Sequence, residues 1–149
     1  MSAAAIPSAP TPVTDGLFTL TAEGPRLLGT RCASCATLYF PKAISCRNPA
    51  CRDKAVSDAQ LPSGGTLFSY TIQHYRPPPL FRDDDWKPYA IGVVELGERL
   101  QVMGILDGVD LRSIAIGMPL RLVTRRLYHD AARGEVVTYA FAPDDGETR

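Results

Sequence analysis

The chain has no excess of either charge, no long apolar run and very little histidine. Lysine plus arginine number 16 and aspartate plus glutamate 16, so the formal net charge is zero. Sequence-independent nucleic-acid binding rests on phosphate neutralisation and counterion release, for which a neutral chain is poorly built. No apolar stretch approaches the ~18 residues that cross a bilayer as a helix. The N-terminus lacks a basic segment followed by an apolar core, so no secretory signal is read and a reducing cytoplasm is the expected setting. The only histidines are His74 and His129, and the only tryptophan is Trp86. No G-x-x-x-x-G-K phosphate loop occurs, and Ser63-Gly64-Gly65 reads as a turn. Catalysis needs partnered acids, bases or nucleophiles, and few are on offer.

What the chain does have is a concentration of cysteine. All four lie in RCASCATLYFPKAISCRNPAC, residues 31–51, as a C-x2-C pair (Cys32, Cys35) and a C-x4-C pair (Cys46, Cys51). Two thiolate pairs on a short hairpin can present four sulfurs to one tetrahedral metal, as in structural zinc ribbons. The competing readings are two disulfides or four ordinary buried thiols. Disulfides belong to oxidising compartments, to which nothing here directs the chain. Four thiolates around Zn²⁺ leave two negative charges uncounted, and Arg31, Lys42, Arg47, Arg52 and Lys54 are placed to offset them. A filled four-thiolate shell has no open position for water, so such a site is structural.

At 149 residues, 45% apolar and 21% charged, the chain suits one domain, or a small module joined to a modest second one. Residues 1–14, rich in Ala, Pro, Ser and Thr, read as a flexible tail. Over 15–30, Leu17, Phe18, Leu20, Leu27 and Leu28 are interrupted by Gly24-Pro25, which predicts a short helix or extended arm. The metal segment spans 31–54, with Leu38, Tyr39 and Phe40 as a strand ended by Pro41, and Asn48-Pro49 as a turn. From 55 to 143, alternation predicts five short antiparallel strands: TLFSYTIQHY, 89–96, 99–106, 120–127 and 136–141, closed into a small barrel. Gly97-Glu98 is a hairpin turn, 111–120 a connector, and 144–149 a tail. Gly92 and Gly104 inside strands suggest bulges or bends. Phe68, Tyr70, Ile72 and His74 share one face, which makes His74 a core-edge residue; His129 reads as part of a solvated turn.

The cysteine stretch, then SGGTLFSYTI, PYAIGVVEL, IGMPL and YAFAP, together resemble the acyl-CoA-associated zinc-ribbon and OB-fold family, over about residues 27–143. Ala36 stands where glycine often follows the first pair, and the second pair is wider than usual. The resemblance implies a mainly β fold, an N-terminal rubredoxin-like zinc ribbon followed by a five-stranded OB-fold barrel. It implies one structural Zn²⁺ per chain, with the CoA thioester met only through a complex. It further implies a non-catalytic accessory subunit that stabilises a thiolase or retro-aldolase of acyl-CoA metabolism, steroid side-chain breakdown included, and helps form its CoA or acyl site. A two-plus-two hetero-oligomer is expected.

Two stretches are candidates for contact. Residues 76–88, RPPPLFRDDDWKP, occupy the loop between the first two barrel strands, with Leu80, Phe81 and Trp86 as partner anchors or as a cap folded onto the barrel. Arg121, Arg125, Arg126 and Arg133 are either a solvated basic strand or contacts for CoA phosphates. The competing functions are an accessory subunit of a hot-dog-fold enoyl-CoA hydratase, a single-stranded nucleic-acid module, and a rubredoxin-type iron carrier.

Overall fold

Alternating polarity resolves into ten strands and no helix among the described residues, which in this computed structural model are 10–78, 82–97 and 99–144. They are β1 (Thr11–Pro12), β2 (Phe18–Thr21), β3 (Gly24–Cys32), β4 (Leu38–Tyr39), β5 (Val56–Gln60), β6 (Gly64–Gln73), β7 (Tyr89–Leu96), β8 (Gln101–Leu106), β9 (Pro119–Asp130) and β10 (Gly134–Pro143). In β7, Ala90, Gly92, Val94 and Leu96 are buried while their neighbours are half-buried, the period of two expected for a strand with one face on a core.

β6 to β10 close the expected five-stranded barrel, in the order β6-β7-β8-β10-β9, with β9 returning to β6 through Gly65↔Leu120. All neighbours were expected to be antiparallel, but β8 and β10 run parallel, with Ala140 beside Ile105. An odd-membered ring of strands cannot alternate direction at every step, so one parallel pair is required.

Gly92 and Gly104 are not bulges. They face each other in unbroken register, and each is small because the interior is full. A Cβ at Gly92 would lie 2.8 Å from Leu106 and Leu67 methyls, and one at Gly104 2.8 Å from the Phe141 ring. The irregularities lie elsewhere, at Phe68 in β6 and between Val136 and Val137 in β10. Leu67 pairs with Val94 and Ser69 with Val93, which leaves Phe68 as the extra residue, half exposed. The Phe68–His74 face is therefore broken. His74 lies beyond the end of β6 and is exposed, not at the core edge. His129 is also exposed, but on β9, because the last hairpin continues to Asp130 and Gly134.

The N-terminal part is also more ordered than expected. Thr11 and Pro12 add a parallel strand to β10 at Val136 and Val137, so the tail reading fails there. The Arg133 guanidinium donates to the Pro12 and Val13 carbonyls at 2.6 and 3.2 Å, and Thr11 donates to the Arg133 carbonyl at 2.7 Å. Residues 1–9 and 145–149 lie outside the described residues. In place of a short helix or a single extended arm, β2 and β3 form a hairpin with Thr21 opposite Gly24. Gly24 takes φ +113°, a conformation open to glycine, so the residue that breaks a helix makes this turn.

β3 carries the chain from this hairpin into the metal segment, where it pairs with β4 and β5. Phe18, Leu27 and Leu61 of this N-terminal half join Leu67, Val94, Val102, Leu120 and Phe141 of the barrel in one core. Tyr139 pins the halves together. Its ring meets Phe18, Phe40 and Phe141 edge-on at 6.4, 5.6 and 6.2 Å, and its hydroxyl donates to the Met103 carbonyl at 2.6 Å. Each such ring pair is worth about 0.5–1.5 kcal/mol beyond its buried area.

Candidate functional site

Two backbone knuckles carry the four cysteines. Cys32 closes β3, and the chain turns back so that the Ala36 N–H donates to the Cys32 carbonyl at 3.0 Å. Ala36 sits at φ 64°, which explains why glycine suits this position and why alanine is strained there. In the wider second knuckle, Asn48 supplies the missing closure. Its side-chain oxygen accepts from the Ala50 N–H at 3.0 Å and its carbonyl accepts from the Cys51 N–H at 3.0 Å. Lys54 at φ 59° returns the chain, its carbonyl accepting from the Cys46 N–H at 3.1 Å. Thr30, buried on β3, accepts from the Ala43 N–H at 3.0 Å and ties down the segment between the knuckles.

The four Sγ atoms all lie within 4.8 Å of one another, with Cys32–Cys51 and Cys35–Cys46 each at 3.6 Å. A disulfide needs about 2.05 Å, so these are free thiols. A tetrahedral ion with metal–sulfur bonds of about 2.3 Å would set sulfurs roughly 3.8 Å apart. The cluster fits that ion. Cys32, Cys46 and Cys51 are buried and Cys35 faces solvent.

Two neighbours that the spacing of the cysteines did not reveal lie within hydrogen-bond reach of two of the sulfurs. The Thr37 hydroxyl lies 3.1 Å from Cys35 Sγ, and its hydrogen bond, followed by that of the Thr37 backbone, lowers the Cys35 thiol to about 6. The Tyr39 hydroxyl accepts from the Arg47 N–H at 2.7 Å and lies 3.2 Å from Cys46 Sγ, placed to donate to it. That hydrogen bond to Cys46, then burial, pushes the Tyr39 phenol up, so it stays a donor. Such hydrogen bonds orient metal ligands and tune their basicity. Of the surrounding cations, Arg47 lies 5.6 Å over the Tyr39 ring and Lys42 pairs with Asp58 at 3.1 Å.

The loop between β6 and β7 folds back on β9. Asp83 meets Arg125 at 2.8 Å, Asp85 meets Arg126 at 3.1 Å, and the Asp84 N–H donates to the Leu127 carbonyl at 2.9 Å. Arg125 also approaches Asp107 at 3.5 Å, and Arg126 reaches Glu135 at 3.1 Å. Arg125 and Arg126, either a solvated basic strand or phosphate contacts by sequence, thus have carboxylate partners. Arg121 is exposed and opens onto a different cleft. Trp86 is half-buried with its indole N–H sunk and unpartnered, while Leu80 and Phe81 lie outside the described residues. These long-range ion pairs had no local signal beyond opposite charge on two distant segments.

A four-cysteine ribbon sharing one core with a five-stranded barrel defines a two-module zinc-ribbon and OB-fold protein. Residues 22–57 match the rubredoxin-like zinc ribbon domain of ChsH2, and residues 58–125 match its C-terminal OB-fold domain. A DUF35 domain-containing scaffold protein of Methanocaldococcus jannaschii is 32% identical over 116 residues, covering 77% of this chain and 78% of that one. A probable enoyl-CoA hydratase alpha subunit of Thermomonospora curvata is 34% identical over 97 residues, 65% of this chain but 28% of that protein. Among solved structures, the Ltp2-ChsH2(DUF35) aldolase superposes with a TM-score of 0.58 at 31% identity, over 79% of this chain and 84% of that one. The chain belongs to the DUF35 family of acyl-CoA-associated scaffold proteins, built from a ChsH2-type zinc ribbon and OB fold.

Proposed function

We infer that this protein is a non-catalytic accessory subunit of an acyl-CoA-processing complex of the thiolase or retro-aldolase type. The observation that carries this reading is the closed cysteine cluster. A tetrahedral ion held by these four sulfurs would have no position left for water or substrate. Cys32, Cys35, Cys46 and Cys51 would hold one Zn²⁺ per chain. When bound, the ion supplies folding energy, about 10–16 kcal/mol in small zinc modules, to a segment with little apolar core of its own. The chain's own residues keep the thiolates hydrogen-bonded and anchor β3 in the core shared with the barrel. His74 and His129 are exposed, and neither side chain makes a hydrogen bond to a nucleophile among the described residues.

The similarity to an aldolase complex supports a lyase or thiolase partner, and a two-plus-two assembly is the arrangement proposed. A second reading, service to a hydratase, draws on the hydratase alpha subunit that carries a related segment. Co-expression with the acyl-CoA lyase, thiolase and hydratase subunits of the same organism separates these. The reading expects one of them to co-elute with this chain and to lose most of its activity without it. Separate elution from all three, with full activity of each alone, would contradict it.

A further inference from the structure

The four sulfurs are not equally accessible. Cys32, Cys46 and Cys51 are buried, whereas Cys35 reaches the surface. With Thr37 it opens onto a cleft of about 680 Å³ between the ribbon and the barrel. Arg26, Arg31 and Arg99 stand around that cleft, and no carboxylate lines it among the described residues. An exposed sulfur among cationic groups is the setting in which cysteine thiolates meet oxidants. Coordination to a metal leaves such a sulfur lone pairs with which to react. Cys46 Sγ lies 3.6 Å from Cys35 Sγ, on the buried side of the cluster. An S–S bond of about 2.05 Å requires the two to close by roughly 1.5 Å.

We propose that Cys35 is a site of modification by hydrogen peroxide, with Cys46 as the resolving thiolate. The Cys35 thiolate attacks one peroxide oxygen. An S–O bond forms, the O–O bond breaks, and the hydroxide that leaves is protonated by solvent to water. The Cys46 thiolate then attacks the sulfenic sulfur, forming the S–S bond and expelling a second hydroxide, which is protonated in the same way. Two thiolates have given two electrons to one peroxide. The metal has lost two of its four ligands and is released with its oxidation state unchanged. The assignment rests on the four-thiolate zinc reading above.

The test exposes the zinc-loaded full chain to hydrogen peroxide. A chromogenic chelator follows zinc release, and mass spectrometry of a non-reducing digest maps the cysteine linkages. The parent should lose its zinc and carry a Cys35–Cys46 disulfide, and dithiothreitol with added zinc should restore it. Cys35→His keeps a zinc ligand but removes the exposed sulfur, so it should retain zinc under peroxide that empties the parent. Cys51→His makes the same ligand change at a buried sulfur, so it should release zinc as the parent does. Circular dichroism and zinc content before exposure verify that each variant is folded and loaded. The linkage map of the parent needs no substitution, so it decides the matter even where a variant does not load. Zinc retained by the parent, a Cys32–Cys51 disulfide in place of Cys35–Cys46, or equal release from the two variants overturns the proposal. A zinc-loaded chain with any of these results loses the modification site and keeps the zinc reading. A chain purified without zinc loses both.

Discussion

Asp83→Asn is the perturbation whose size the structure bounds best. Asp83 and Arg125 meet at 2.8 Å with side chains only 7% and 18% exposed. Breaking a fully buried pair costs about 3–5 kcal/mol, and an exposed pair is worth about 0–1 kcal/mol. The asparagine oxygen still accepts a hydrogen bond, and Arg125 retains Asp107 at 3.5 Å. The expected cost is therefore below the buried limit, about 1–2 kcal/mol. Asp85→Asn is the internal control, because its pair with Arg126 is 72% exposed on the acid side and 45% on the base. It should cost less than about 0.5 kcal/mol. With a urea m-value of about 1–3 kcal/mol/M, the first change lowers the midpoint by roughly 0.3–2 M and the second by a quarter of that or less. Trp86 fluorescence reports the same loop directly. Equal, small midpoint shifts for the two variants would refute the claim that Asp83 clamps the loop to the barrel.

Other consequences can be measured independently. Gly104→Ala puts a methyl 2.8 Å from the Phe141 ring and 3.1 Å from Tyr139; overpacking of about 1–3 kcal/mol should lower Tm by roughly 2–10 °C with zinc content unchanged. Cys32→Ser should leave the purified chain without stoichiometric zinc, read by elemental analysis. Thr37→Val removes the main hydrogen bond that lowers the Cys35 thiol to about 6. Since the thiolate is the ligand, chelator competition should show zinc lost at a higher pH than in the parent, with affinity down by about 10–100-fold. The Asp84 carboxyl is held below its ordinary 3.8, first by the Arg82 hydrogen bond. Its contribution to loop order is complete above pH 3.8 and fades as pH falls through the lowered value, so acid should loosen the loop and raise amide exchange at His129, whose N–H donates to Asp84 at 3.3 Å.

The ribbon was legible because its determinants are local: four cysteines in one stretch, a strand stopped by Pro41 and an Asn48-Pro49 turn. The barrel strands were legible from alternation in β7 and β8. What escaped was non-local. Nothing in TLFSYTIQHY marks Phe68 as the extra residue, yet that single insertion breaks the face on which His74 was expected. Gly92 and Gly104 looked like bend residues, but the ring of Phe141 and the methyls of Leu67 and Leu106 explain them. Gly24-Pro25 argues against one continuous helix without indicating that Phe18–Thr21 pairs with Gly24–Leu27. The ion pairs from Asp83 and Asp85 to Arg125 and Arg126 join segments some 40 residues apart, and opposite charge alone does not reveal them.

The central claim is that the chain works as a metal-stabilised scaffold on a catalytic subunit, and native mass spectrometry of the co-expressed pair tests it most directly. The account predicts a hetero-oligomer of equal subunit numbers, carrying one zinc for each copy of this chain and falling apart when the zinc is stripped. A chain that remains free of every acyl-CoA enzyme offered to it, or a complex that survives unchanged without metal, would contradict it.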